Sequence, residues 1–200
     1  DSFGQVSATP SVGGYITAAA GGNHSLAIAS DGTISAWGLD SSGQVSLRPL
    51  GPGFVAVAGG AAASAALHAD GSLWTWGGDS TGLVTGAPGG SFVAVAMGSL
   101  HAVAIRADGT LASWGRDAEL QVTGTPTGGS FIDVAAGFGH SVAIRSDGSL
   151  AAWGSDGFLQ VSGTPSGNDF VDVAAGFEHS VANMYFIPQA LLIRTFAPES

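Results

Sequence analysis

The chain contains no cysteine and no lysine, and it is poor in charge of either sign. Without cysteine there are no disulfides and no thiolate chemistry. Charged side chains make up 10% of the 200 residues, where about 25% is ordinary for a soluble domain. The five basic residues are all arginine and stand against 15 acids, for a formal net charge of -10. Five scattered arginines cannot neutralise a phosphate backbone, so nucleic-acid binding is excluded. Low charge together with 45% apolar residues is the reverse of a disordered composition. Long hydrophobic runs are missing too. One long uncharged stretch, residues 49–69, is broken by Gly51, Pro52, Gly53, Gly59, Gly60 and His68. A spanning helix needs about 20 mostly apolar residues, so no membrane segment is expected despite a mean hydropathy of +0.34. The length fits one domain covering residues 1–200. The chain opens at Asp1 with no visible signal peptide, as expected of a processed secreted protein or of an excerpt, and an extracellular location is favoured.

What the sequence has in excess is glycine, 33 residues, and alanine, and both trace to an internal repeat. Units open at Asp1, Asp40, Asp79, Asp117 and Asp156, giving repeats 1–39, 40–78, 79–116, 117–155 and 156–194. Trp37, Trp76, Trp114 and Trp153 recur, each followed by glycine; His24, His101, His140 and His179 recur, with Ala63 in the second slot. Pro10, Pro49, Pro88, Pro126 and Pro165 mark one further point per unit. Residues 117–143 and 156–182 agree at 19 of 27 positions, so duplication is the simple origin.

One unit predicts the local structure. Residues 131–136, apolar and partly β-branched, read as strand A, and residues 140–145, which alternate, as strand B. Asp147 and Gly148 signal the hairpin to strand C at 150–153, and Gln160, Val161 and Ser162 read as a short strand D. No window has helical periodicity. Four short strands per unit of roughly 40 residues predict an all-β fold, a β-propeller of four-stranded blades.

The unit Val-Ala-Ala-Gly-x-x-His-Ser-x-Ala-Ile-x-x-Asp-Gly-x-Leu-x-x-Trp-Gly resembles the regulator of chromosome condensation repeat over residues 1–182. It is most similar to the short bacterial version, which includes the type II beta-lactamase inhibitor proteins. Members of the family usually carry seven blades; here five are expected. Residues 1–7 repeat the loop and strand D of every unit, so they are expected to complete the last blade and close the ring. A closed ring implies a monomer; the alternatives are a fragment of a longer ring or a homo-oligomer. After Ala182 the pattern is lost, and Leu192 falls in the tryptophan slot of an atypical segment, 183–200. It reads as a degenerate terminal blade with two strands around Ile187 and Pro188, or as an artefact of reading frame.

Candidate chemistry is thin. Four histidines in equivalent slots could converge on a metal, but each stands where a turn enters strand B and suits a structural role, and Ala63 breaks the row; no metal and no cofactor is expected. Asp31, Asp70, Asp108 and Asp147 belong to hairpins. No nucleophile motif or phosphate-cradling loop is present, so the chain reads as non-catalytic. The B–C and D–A loops are nearly constant, whereas the A–B and C–D loops, on the opposite face, vary. A constant frame with one variable loop face is how a scaffold carries recognition. That face is expected to bind a protein partner through Phe138, Phe177, Glu178, Leu100, Arg116, Glu119 and Phe158. In the inhibitor proteins, aromatics in these loop slots contact the enzyme; the resemblance carries that role to Phe138 and Phe177, and by slot to Leu100 and Phe158. The phenylalanines either meet a partner or fold inward over the channel mouth. A propeller lectin with one sugar site per blade is the alternative.

Overall fold

The computed structural model describes residues 1–11 and 13–184. They form five antiparallel sheets. The first holds β1 (Tyr15–Ala20), β2 (His24–Ala29) and β3 (Ile34–Gly38); the second β4 (Phe54–Gly59), β5 (Ala63–His68) and β6 (Leu73–Gly77). The third holds β7 (Phe92–Met97), β8 (His101–Arg106) and β9 (Leu111–Gly115); the fourth β10 (Phe131–Ala136), β11 (His140–Arg145) and β12 (Leu150–Gly154). In the fifth, β13 (Phe170–Ala175) pairs with β14 (Ser180–Met184). The atypical segment is described only as far as Met184, and the readings made for its remainder lie outside the described residues.

The fourth strand is not formed. Each predicted strand D coils into turns instead, because the aspartate that opens the unit captures two successive backbone N–H groups. Asp40 Oδ1 accepts from Val45 N at 2.8 Å and Ser46 N at 2.9 Å, and Asp79, Asp117 and Asp156 repeat the pattern. A backbone bond from Leu47 N to the Gly43 carbonyl at 3.1 Å tightens the same turn. An N–H turned inward onto a carboxylate cannot join a ladder. The first four sheets are therefore three-stranded, with a turn segment replacing strand D.

Each turn segment seats the next sheet. Its fifth residue offers a carbonyl to the indole N–H of the tryptophan that follows: Trp76 Nε1 donates to Gln44 at 2.9 Å, Trp114 to Leu83 at 3.0 Å and Trp153 to Gln121 at 2.9 Å. Residues 1–8 hold the same seat for the first sheet, with Trp37 Nε1 donating to Gln5 at 2.7 Å. The N-terminal segment is thus a turn on the first sheet, not a strand of the last. Between consecutive sheets lie four apolar layers, one per junction, such as Leu26, Ile28, Phe54, Ala66 and Trp76 between the first two. The second strands are packed on both faces, which is why β5, β8 and β11 are buried along nearly their whole length, with Ser64, His101, His140 and Ser141 buried among their apolar residues. Alanine suits them, since a side chain of one carbon lets neighbouring sheets approach closely.

Three junctions carry a further strut. His24 Nε2 lies 2.9 Å from Ser64 Oγ, His101 Nε2 2.8 Å from Ser141 Oγ, and His140 Nε2 2.8 Å from Ser180 Oγ. Ser64 Oγ donates in turn to the Gln44 carbonyl at 3.2 Å, so the His24 ring donates from Nε2 and its Nδ1 is a bare lone pair, buried without a partner. A proton there would add a charge with nothing to receive it. Burial holds the imidazole of His101 down to about 4, with His140 adding to the effect, and lowers those of His24 and His140.

Two outcomes follow from these junctions. Trp114→Phe removes the donor to Leu83 and is expected to cost about 1–3 kcal/mol in urea unfolding; unchanged stability would show that the indole bond does not hold the sheets. A histidine whose folded pKa lies below its ordinary 6.5 gives stability that is complete above pH 6.5 and lost as pH falls, because the unfolded chain then binds more protons. Melting temperature is therefore expected to be level from pH 8 to 7 and to drop from 6.5 towards 4, with the drop reduced in His101→Asn; a profile level to pH 5 would count against it.

Candidate functional site

The A–B and C–D loops share a face. Gly78 N donates to the Ala62 carbonyl, Arg116 N to Leu100 and Ser155 N to Gly139, each at 2.8 Å, tying the start of every C–D loop to the A–B loop beside it. On the opposite face the constant hairpins dock on the next sheet, as Gly71 does through its carbonyl to Phe92 N at 2.9 Å. There the hairpin aspartates serve local structure: Asp108 Oδ1 accepts from both Thr110 N at 2.9 Å and Thr110 Oγ1 at 2.7 Å, which lowers its pKa.

The five A–B loops converge on one axial mouth of about 340 Å³, lined by Gly22, Ala61, Ser99, Phe138 and Phe177 among others. Backbone bonds link neighbouring loops: Gly22 N to the Gly60 carbonyl at 2.9 Å, Ala61 N to Ser99 at 3.4 Å, Ser99 N to Gly137 at 3.3 Å and Phe138 N to Phe177 at 3.3 Å. Among the described residues no such bond runs from the fifth loop back to the first. The rim has to be glycine: a Cβ on Gly60 would stand 2.9 Å from the Gly98 carbonyl oxygen.

Phe138 and Phe177 stand together at this mouth, with ring centroids 4.2 Å apart and planes tilted by 31°. They line the channel entrance and still face solvent, at 41% and 60% exposure. Beside Phe138, a groove of about 100 Å³ brings together Leu100, Arg116, Glu119 and Gln121. Phe158 and Glu178 are elsewhere, in a hollow of about 260 Å³ between the fourth turn segment and β14. Four of the seven expected residues thus share one groove, Phe177 extends it to the mouth, and two flank the last sheet.

Two residues on this face escaped the sequence reading. Leu120 and Leu159 have φ of 62° and 65°, where the equivalent Gly4, Gly43 and Gly82 have 74°, 80° and 74°. Both leucines are largely exposed, at 62% and 69%. A left-handed leucine is unfavourable, and such strain collects at functional sites. The signal was present as a break in a glycine column.

Electrostatically the face is acidic. Asp40, Asp79, Asp117 and Asp156 have lowered pKa values, because two backbone N–H groups stabilise each carboxylate, and they stay charged well into acid. Among the described residues, Arg116 is the one cation of the A–B and C–D loops. The histidines do not converge. His24, His101 and His140 each turn into the junction with the next sheet, and no group of three metal-ligating residues occurs among the described residues. None of the described residues forms a helix that could cross a membrane.

Comparison with known proteins follows the repeat. Residues 16–44, 92–121 and 131–160 match the model of the regulator of chromosome condensation (RCC1) repeat. No curated protein matches the chain. Among solved structures, the ectodomain of the Physcomitrella patens receptor kinase CR4 is 25% identical with a TM-score of 0.69, over 84% of this chain and 47% of that one. Human WBSCR16 is 18% identical with a TM-score of 0.71, over 86% and 58%. Saccharomyces cerevisiae Prp20p, described with its binding properties to Gsp1p and histones, is 21% identical with a TM-score of 0.70, over 86% and 56%. The chain spans about half the length of these three proteins. Three of its units thus match the regulator of chromosome condensation repeat, and its fold is similar to that of Prp20p.

Proposed function

We propose that the chain is a non-catalytic protein-binding module whose A–B and C–D loop face grips a partner around the axial mouth. The observation that carries this reading is the stacked, solvent-facing pair Phe138 and Phe177, set between the mouth and the Arg116–Glu119 groove. Rigid aromatics beside a concave surface are the usual anchors of protein recognition. The ring of ionised aspartates favours a neutral or basic partner over an acidic one. Enzyme inhibition of the beta-lactamase-inhibitor type is the specific form of this reading, with the loop face occluding the enzyme.

Phe138→Ala with Phe177→Ala is expected to weaken partner capture at least tenfold while leaving the melting temperature nearly unchanged, since both rings are exposed. Equal capture by the double variant would remove the loop face from consideration. A panel of beta-lactamases assayed with the wild-type chain tests the inhibitor form separately. Leu120→Gly and Leu159→Gly test the strained positions. Each is expected to raise stability by about 1 kcal/mol through relief of the left-handed backbone, and together they are expected to reduce partner capture. Raised stability with undiminished capture would make these leucines bystanders.

A further inference from the structure

Four of the five tryptophans belong to the frame. Trp37, Trp76, Trp114 and Trp153 each donate Nε1 to a backbone carbonyl of a turn segment. Trp74 does not. It stands on β6 where the equivalent positions hold Ser35, Ala112 and Ala151, so a sheet forms without a large side chain there. Its ring is half exposed, at the hairpin end of the second sheet and away from the A–B loops. The second unit departs from its neighbours at one more place, and the two places meet. His68 takes the slot of Arg106 and Arg145, whose guanidinium carbons lie 5.1 and 5.3 Å from the ring centres of Phe92 and Phe131. The His68 ring instead stands at 81° to Phe54, 5.4 Å away, and Phe54 stands at 81° to Trp74, 6.3 Å away. On the other side Trp74 Nε1 donates to Ser72 Oγ at 3.3 Å, Ser72 N donates to Asp70 Oδ1 at 2.8 Å, and His68 Nδ1 lies 3.0 Å from that same oxygen. The five residues close a circuit that holds the indole still. In the other three hairpins the hydroxyl two residues after the aspartate donates to that aspartate and meets no indole.

A large ring that the fold does not need, fixed in place and facing solvent, is a shelf. Because its rotamer is already set, a ligand that lies on it loses little to ordering the side chain. At its edge are the Ser72 hydroxyl and the Asp70 carboxylate. The bonds from Ser72, and after them His68, hold that carboxyl down to about 2, so it is an ionised acceptor at any ordinary pH. An apolar face with hydroxyl-binding groups at its rim matches a sugar, which has C–H groups on its faces and hydroxyls around its edge. We propose that Trp74, Asp70 and Ser72 form a carbohydrate site for a β-1,4-linked chain of hexopyranoses, whose equatorial substituents leave a flat C–H face to lie on the indole. An ammonium ligand is gripped by several aromatic faces, whereas Phe54 is buried and the indole offers a single one. A nucleobase could stack there too, but it brings phosphate to a chain of net charge -10 with a carboxylate at the site. The site occurs once, in the second unit, unlike a sugar site repeated in every blade. It is independent of the partner-binding reading, which concerns the opposite end of the sheets.

Cellohexaose and chitohexaose are the probes, titrated into the whole chain by calorimetry and by acrylamide quenching of tryptophan fluorescence. At least one is expected to bind with a Kd of about 0.1–1 mM and to protect the exposed tryptophan from the quencher. Trp74→Ala puts into β6 the residue that β9 and β12 already carry, so the variant keeps the fold. It is expected to weaken binding at least tenfold and to abolish the protection, while Trp74→Phe keeps part of both. Phe138→Ala with Phe177→Ala is expected to leave sugar binding unchanged, which separates a failure of this site from a failure of the loop face. Binding of neither sugar, or binding undiminished in Trp74→Ala, would overturn the proposal. Protection that grows with protein concentration in the absence of sugar, with a dimer in light scattering, would show a second copy covering the ring and would overturn it as well.

Discussion

The structure depends on a carbonyl held still for an indole. A sheet of three short strands cannot bury two faces by itself; it becomes stable only between neighbours. The turn segment fixes where the neighbour sits. Its aspartate fastens two backbone N–H groups, the chain curls, and the carbonyl of the fifth residue is left pointing at the next tryptophan. The small residues of the second strands, the buried histidines and the glycine rim all presuppose that spacing. The acidic composition follows from the same device, since five aspartates open turn segments and four more fasten hairpins.

Because the frame is secured from within, the loops at one end carry little of the load and can differ between units. The A–B loops run from Gly-Asn in the first unit to Phe-Glu in the fifth, while the glycine before them is kept in every unit. Most of the exposed apolar side chains of this face, Leu120, Phe138, Phe158, Leu159 and Phe177, come from the last two turn segments and last two A–B loops, with Phe3 of the first turn segment besides. Two of them are held in a conformation that glycine would adopt more readily. The face is thus asymmetric although the frame is repetitive, which suits a single partner better than a set of equivalent sites.

Much of this was legible in the sequence. Recurrence of Trp-Gly, His and Asp-Gly at fixed offsets gave the strands, the hairpins and the face on which the variable loops lie. Phe138 and Phe177 were readable by slot, because an aromatic directly after the A–B loop glycine has no strand to pack into. Strand D was misread for a physical reason: Gln-Val-Ser has β propensity, and nothing in a local pattern shows that an aspartate five or six residues earlier takes its N–H groups. The histidines were read as structural, and His24, His101 and His140 each reach a serine forty residues away, a partner no local pattern names. Leu120 and Leu159 were missed because a leucine in an apolar sequence looks ordinary until its φ is known.

The apolar second–third junction shows how a copied repeat keeps its order. Near-identical units could in principle pack in any sequence, and duplication tends to make them more alike. There Ala63, Ala102 and Leu83 stand where the other junctions have histidine, serine and glutamine, with Met97 packed beside them, which gives that junction a surface that its neighbours do not fit. Wrong pairing then strands a buried imidazole or hydroxyl, at about 1–3 kcal/mol for each group left unpaired, a large share of the stability of a small domain. The buried His–Ser struts need not add much net stability where they are matched. Their effect is to make mismatched packing costly, so they act as register marks that favour one arrangement of similar sheets over the rest.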